Sequence, residues 1–86
     1  MIIIFSKSSW EDYTSWIADD KNILKKINEL IKETQRTPFE GRGQPEPLKY
    51  DFAGYWSRRI DREHRLVYQI LDDQILIYSC RYHYEK

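Results

Sequence analysis

All three prolines of this 86-residue chain, and two of its three glycines, fall within Thr37 to Pro47. Pro38 cannot continue a helix and pushes Thr37 out of the α region, so the chain is cut here into two parts with different periods. Before the cut the period is helical. Ile23, Leu24, Ile27, Leu30 and Ile31 form one apolar stripe, while Lys25, Lys26, Glu29, Lys32 and Glu33 take the other faces. This spacing predicts a helix that starts at an Asp19-Asp20 cap and ends near Thr34 to Arg36. A shorter helix precedes it, with Trp10, Tyr13 and Ile17 recurring at three- and four-residue steps beside Trp16. Ser8 and Glu11 have capping-box spacing at its start, just after a strand over Ile2 to Phe5.

After the cut the period is that of strands. Tyr55 to Ile60, His64 to Leu71 and Gln74 to Cys80 alternate or run apolar, with turns at Asp61-Arg62-Glu63 and Asp72-Asp73. They read as a three-stranded meander. A further short strand is expected over Leu48 to Phe52, before Gly54, and the amino-terminal strand can join the same sheet. Helices first and hairpins later give an α+β fold, two N-terminal helices packed on a twisted antiparallel sheet, as one domain over residues 1–86.

Charge and cysteine content narrow the function classes. Fourteen Lys and Arg balance fourteen Asp and Glu, with a pI of about 6.7, which excludes a globally basic nucleic-acid coat; any basic site must be local. Seven Tyr, three Trp and three Phe help so short a chain bury enough area to fold. The single Cys80 cannot form an internal disulfide, and one Cys with two His has no spacing for a structural zinc, so neither metal nor cofactor is expected. No stretch approaches the roughly 20 apolar residues that span a bilayer, so no membrane partner is expected and the cytoplasm is the expected compartment.

Three local features carry possible chemistry. Counting back from a two-residue loop at Asp72-Asp73 sets Arg65 opposite Cys80, and a three-residue loop at Asp61 to Glu63 sets Arg59 opposite Arg65. Like charges directly opposed cost about 0.2–1 kcal/mol, so the pair implies an anion, a carboxylate or a third strand lying over it, with phosphate the sharpest of these readings, unless the register slips or both groups are simply solvated. From Arg36 to Arg65, seven basic residues meet five acids, and Tyr50, Tyr55 and Trp56 lie among them, a composition that can hold single-stranded RNA by charge and stacking. Second, Glu46 sits in Pro45-Glu46-Pro47, held extended by its neighbours. Alone such a glutamate is usually solvent-facing; beside an arginine pair it is a candidate general base. Third, Arg81-Tyr82-His83-Tyr84 ends the chain with aromatics and an imidazole. His83 can donate a proton to a leaving oxygen and Tyr82 or Tyr84 can stack or hydrogen bond, or the tail merely covers a sheet edge. His64 and Cys80 read as structural.

Pro45-Glu46-Pro47-Leu48, Trp56-Ser57-Arg58-Arg59-Ile60, Glu63-His64-Arg65-Leu66-Val67-Tyr68 and Cys80-Arg81-Tyr82-His83-Tyr84 together resemble the YoeB/Txe family of bacterial toxins, in the RelE-like superfamily. The likeness runs over essentially the whole chain. It implies a ribosome-dependent endoribonuclease that cuts mRNA in the ribosomal A site and is inhibited by a YefM-like antitoxin. It further implies a homodimer, and operator DNA as a partner only of the toxin–antitoxin complex. Carried onto matching positions, it gives Glu46 as general base, Arg65 as phosphate and transition-state stabiliser, His83 as general acid and Tyr84 as a substrate-orienting catalytic residue. Lys49 and Arg59 become auxiliary positive groups; Tyr50, Trp56 and Tyr82, read above from the aromatic pattern as able to stack, are the expected RNA contacts beside them. Two departures stand out: Glu85-Lys86 follow the tyrosine at which family members commonly stop, and Tyr50-Asp51-Phe52 replaces a less aromatic stretch. Rival readings are a ParE-like toxin that binds gyrase and a non-catalytic RNA-binding module.

Overall fold

The computed structural model describes residues 1–82. Strand β1 (Ile2–Phe5) leads into helices α1 (Lys7–Asp19) and α2 (Lys21–Arg36), followed by strands β2 (Glu46–Pro47), β3 (Trp56–Arg59), β4 (Arg65–Leu71) and β5 (Gln74–Ser79). The helix boundaries follow from caps. Asp20 serves both helices: its N–H donates to Trp16 O at 2.9 Å, ending α1, and its carboxylate accepts from Asn22 and Ile23 N–H at 3.0 and 3.2 Å, starting α2. At the start of α1 the expected Ser8–Glu11 box is not formed. The cap is Ser6, whose hydroxyl accepts the Ser9 N–H while Ser9 Oγ accepts the Ser6 N–H, so a buried serine does the work expected of the glutamate.

The sheet has the order β1-β5-β4-β3-β2. β2 to β5 pair antiparallel, whereas β1 departs from the all-antiparallel expectation and runs parallel to β5, with Ile2 opposite Gln74 and Phe5 opposite Ile77. A parallel neighbour requires a crossover, and the two helices belong to the chain that makes it. The expected strand over Leu48 to Phe52 is also corrected. Strand pairing occurs earlier, at Glu46 and Pro47 on the sheet edge, where a residue without an amide hydrogen is tolerated. Tyr50–Phe52 instead form a 3₁₀ turn that Tyr50 enters at φ 59°.

A β-bulge lies between Val67 and Tyr68: Tyr68 faces Ile77, but Val67 faces Ser79, skipping Tyr78. The extra residue moves everything beyond it by one, so the expected Arg65–Cys80 juxtaposition is lost. Arg65 N–H donates instead to Tyr82 O at 3.1 Å. The inner sheet face meets the helices in a core of Trp16, Ile27, Leu30, Ile31, Ile60, Leu66, Tyr68, Ile75, Ile77 and Cys80. No helix among the described residues is long and apolar enough to cross a membrane.

Candidate active site

Strand alternation decides which side chains reach the open sheet face. On β3, Arg58 is wholly buried and donates to Tyr68 Oη, so it and Trp56 point toward the helices, and Ser57 and Arg59 point the other way. Paired residues share a face. Glu46 pairs with Ser57, Ser57 with Val67, and Arg59 with Arg65, which brings the glutamate and both arginines to the open side. A cleft of about 180 Å³ is lined there by Gln44, Glu46, Ser57, Arg59 and Arg65. The expected opposition of Arg59 and Arg65 is present. Neither guanidinium has an ion-pair partner among the described residues; Arg65 Nη1 donates only to the Asp61 and His64 carbonyls, at 2.7 and 3.0 Å. Two guanidinium groups that form no ion pair among the described residues, next to a carboxylate and a hydroxyl, suit a bound phosphodiester with a proton acceptor at its side.

The loop that delivers Glu46 is tied down from inside. The Arg58 guanidinium donates to the carbonyls of Thr37, Glu40 (3.0 Å) and Arg42 (2.8 Å), and Tyr68 Oη donates to Pro38 O at 2.7 Å. Gly43 O accepts the Arg59 N–H at 2.6 Å, so the loop joins the cleft strand directly. Burial raises the Tyr68 hydroxyl above its ordinary range, although the Arg58 hydrogen bond and charge pull it back, and the phenol stays a donor.

The root of the C-terminal tail is fixed next to Arg65. Tyr82 N–H donates to His64 Nδ1 at 2.7 Å. Asp61 carboxylate accepts the Glu63 and His64 N–H groups at 2.8 and 2.7 Å. Partial burial raises the Asp61 carboxyl, but these bonds and the nearby His64 and Arg65 outweigh it and hold the group below its usual range. Arg81 lies over the Trp16 ring at 4.1 Å and pairs with Asp19 at 2.8 Å, while Trp16 Nε1–H donates to Cys80 O. Asp12 accepts the Cys80 N–H; burial pushes this carboxyl up, partly offset by that bond and by Arg81.

The expected site residues thus divide. Glu46, Arg59 and Arg65 meet at one cleft. Trp56 does not reach it, being half-buried against Phe39 at 4.8 Å on the helix side, and Lys49 and Tyr50 are exposed, at the cap and the first residue of the 3₁₀ turn. Tyr82 stands over the His64 ring at 5.3 Å. His83 and Tyr84 lie outside the described residues. Sequence reasoning missed Gln44, Ser57, the loop anchor Arg58 and the contact made by His64. A signal existed for two of them: in Trp56-Ser57-Arg58-Arg59 a period of two with Trp inward turns Ser57 outward and buries one arginine.

A family model described as the YoeB-like toxin of bacterial type II toxin–antitoxin systems matches residues 5–84. The chain is 63% identical to Toxin YoeB of Escherichia coli strain K12 over 84 residues, covering 98% of this chain and all of the relative. Among solved structures, a YoeB/ParE toxin from Agrobacterium tumefaciens superposes with a TM-score of 0.95 at 49% identity, covering 98% of this chain and 100% of that one. YoeB from Staphylococcus aureus matches over 98% of both chains, as a dimer (TM-score 0.91, 50% identity) and as a YoeB–YefM complex (TM-score 0.90, 49% identity).

Proposed function

We infer, from the premise that this chain belongs to the YoeB-like toxins of bacterial type II toxin–antitoxin systems, that it acts as a ribosome-dependent endoribonuclease on A-site mRNA. The observation that carries this reading is the convergence of Glu46, Ser57, Arg59 and Arg65 on one cleft, without an ion pair for either arginine among the described residues. In the reaction, Glu46 takes the proton of a ribose 2′-OH, whose oxygen attacks the adjacent phosphorus. Arg65 neutralises the charge that builds on the non-bridging oxygens, with Arg59 and Lys49 adding positive potential. His83 protonates the departing 5′ oxygen and Tyr84 orients the substrate. The products are a 2′,3′-cyclic phosphate and a 5′-hydroxyl, and guanidinium groups supply the electrostatic stabilisation with no metal required.

A carboxylate is a weak base at neutral pH, so placement of the message by the ribosome carries much of the rate, and free RNA is cut poorly. The Staphylococcus aureus relatives, solved as a dimer and as a YoeB–YefM complex, support a second copy of the chain and a YefM-like antitoxin as partners, and the same reading adds operator DNA through the antitoxin complex. Cytoplasmic action is the corresponding compartment.

The test is cleavage of a reporter message on purified ribosomes, with 5′ ends mapped. Glu46→Ala, Arg65→Ala and His83→Ala should each lose about 100-fold or more. Near-wild-type rates in all three would remove these roles. A ParE-like action predicts instead toxicity through DNA damage that survives Glu46→Ala and His83→Ala; the Agrobacterium neighbour is named a YoeB/ParE toxin.

A further inference from the structure

Ser57 lies in the floor of the cleft, and the reaction described above gives it no task. It belongs to the middle of three paired strands, opposite Glu46 of β2 on one side and Val67 of β4 on the other, and only 3% of it is exposed. Its hydroxyl has no hydrogen-bond partner among the described residues. Enclosing a hydroxyl without a partner is unfavourable, and a valine would suit a central strand better. A residue choice that opposes stability in this way is expected where function imposes it. Ser79 Oγ is unpaired too, but it is shut away from solvent, whereas Ser57 lines the cleft with Glu46, Arg59 and Arg65. The neighbours decide what the free hydroxyl can meet. Val67 offers no polar side-chain atom, and no hydrogen bond joins Ser57 to the Glu46 carboxylate beside it. Arg59 follows two residues along the same face, roughly 7 Å on in an extended strand, with Arg65 across from it. Arg59 is exposed at the end of a long side chain, while the serine oxygen stands one bond beyond a Cβ whose backbone is fixed by a ladder on each side. The guanidinium groups supply charge; the hydroxyl supplies a donor at a fixed depth.

We propose that Ser57 is a further phosphate-contacting residue of this site: its hydroxyl donates to one non-bridging oxygen of the scissile phosphodiester and fixes the depth at which that group sits beside Glu46. This deepens the nuclease reading and rests on it for its effect on rate. Ser57 keeps its proton throughout and forms no covalent bond, and the contact strengthens as negative charge gathers on the oxygen it touches.

Three measurements test this. Ser57→Ala replaces an unpaired hydroxyl by a hydrogen, so its Tm should match or exceed the parent's, while ribosomal cleavage should fall about tenfold or more, chiefly in kcat. Full cleavage by Ser57→Ala overturns the proposal. The contact itself is read from a message carrying one phosphorothioate at the mapped cut. Sulfur accepts hydrogen bonds weakly, so the parent should cut one diastereomer about tenfold more slowly than the all-oxygen message, and in Ser57→Ala that sulfur effect should shrink about threefold or more. Sulfur effects that are the same in parent and Ser57→Ala for both diastereomers place the hydroxyl elsewhere and overturn the contact. The third measurement needs no cleavage. A dinucleotide with a 2′-deoxy sugar before its phosphate cannot be cut, and its binding to the isolated protein, followed by amide shifts, should weaken about fivefold or more in Ser57→Ala. Parent-like cleavage by both Glu46→Ala and Arg65→Ala overturns the nuclease reading, and this binding then decides the phosphate contact by itself. Equal binding by parent and Ser57→Ala, or none by either, overturns that contact.

Discussion

Arg58 and Arg59 are neighbours in sequence with opposite fates. Arg59 faces the cleft, exposed; Arg58 turns inward and is wholly buried, with three backbone carbonyls and a phenol around its guanidinium in place of a carboxylate. The planar fork suits this task, because its donors leave in fixed directions and reach acceptors on three different loop residues at once. Arg58→Met preserves the stem but strips hydrogen bonds from Thr37, Glu40 and Arg42 carbonyls. Removing one side of a buried charged network costs about 3–5 kcal/mol, and that loss is expected in urea unfolding. Arg58→Lys should recover part of it, since an ammonium has enough donors but not their geometry. A Met variant within about 1 kcal/mol of the parent would mean that the loop finds other partners.

The segment between α2 and β2 is held by more than Arg58. Gly43 has φ 84°, and a Cβ there would lie 2.9 Å from Leu30 Cδ2, 3.1 Å from Arg58 Cβ and 3.3 Å from Arg59 O. Gly43→Ala thus combines backbone strain with a clash against core and strand, and should cost about 1–3 kcal/mol. For a domain of this size that is a drop of roughly 4–8 °C in Tm per kcal/mol, readable by calorimetry, and cleavage should fall with it because Gln44 and Glu46 follow directly. An unchanged Tm would show that the turn can open without cost. At this scale the legible and illegible parts of the sequence separate clearly. α2 was readable because five apolar residues kept one period, and the Arg59–Arg65 pairing because a short loop fixes register. The bulge at Tyr78 left no glycine or turn residue to mark it, so the Arg65–Cys80 expectation failed. The α1 cap was ambiguous because Ser6, Ser8 and Ser9 are all competent caps, and only burial of Ser9 selects among the pairings. The buried Arg58 was hidden because charge alone reads as solvent exposure. The extended backbone at Glu46 was legible from its flanking prolines, while the burial of His64 was legible without its polar contact being visible.

The molecule as a whole offers one internal reporter of its integrity. Cys80, the only cysteine, is wholly buried, and burial beside the Asp12 carboxylate pushes its thiol up to about 12. The native thiol is therefore inert to alkylation, since the thiolate is the reactive form. Labelling by a thiol reagent at neutral pH should run about 10³-fold or more slower than in urea, at a rate set by global opening. Arg58→Met should accelerate it about 100-fold if its stability loss is near 3 kcal/mol. Fast labelling of the native parent would show that the strand end carrying Cys80 opens on its own.

The parallel pairing of β1 with β5 places the last strand between the first and the remainder of the sheet. While the polypeptide is being synthesised, Ile2–Phe5 emerge before both helices and the three intervening strands, and wait for Gln74–Ser79 to follow. The sheet therefore cannot close until β5 has been made, and a growing chain that lacks it leaves both β1 and β4 with an unpaired edge.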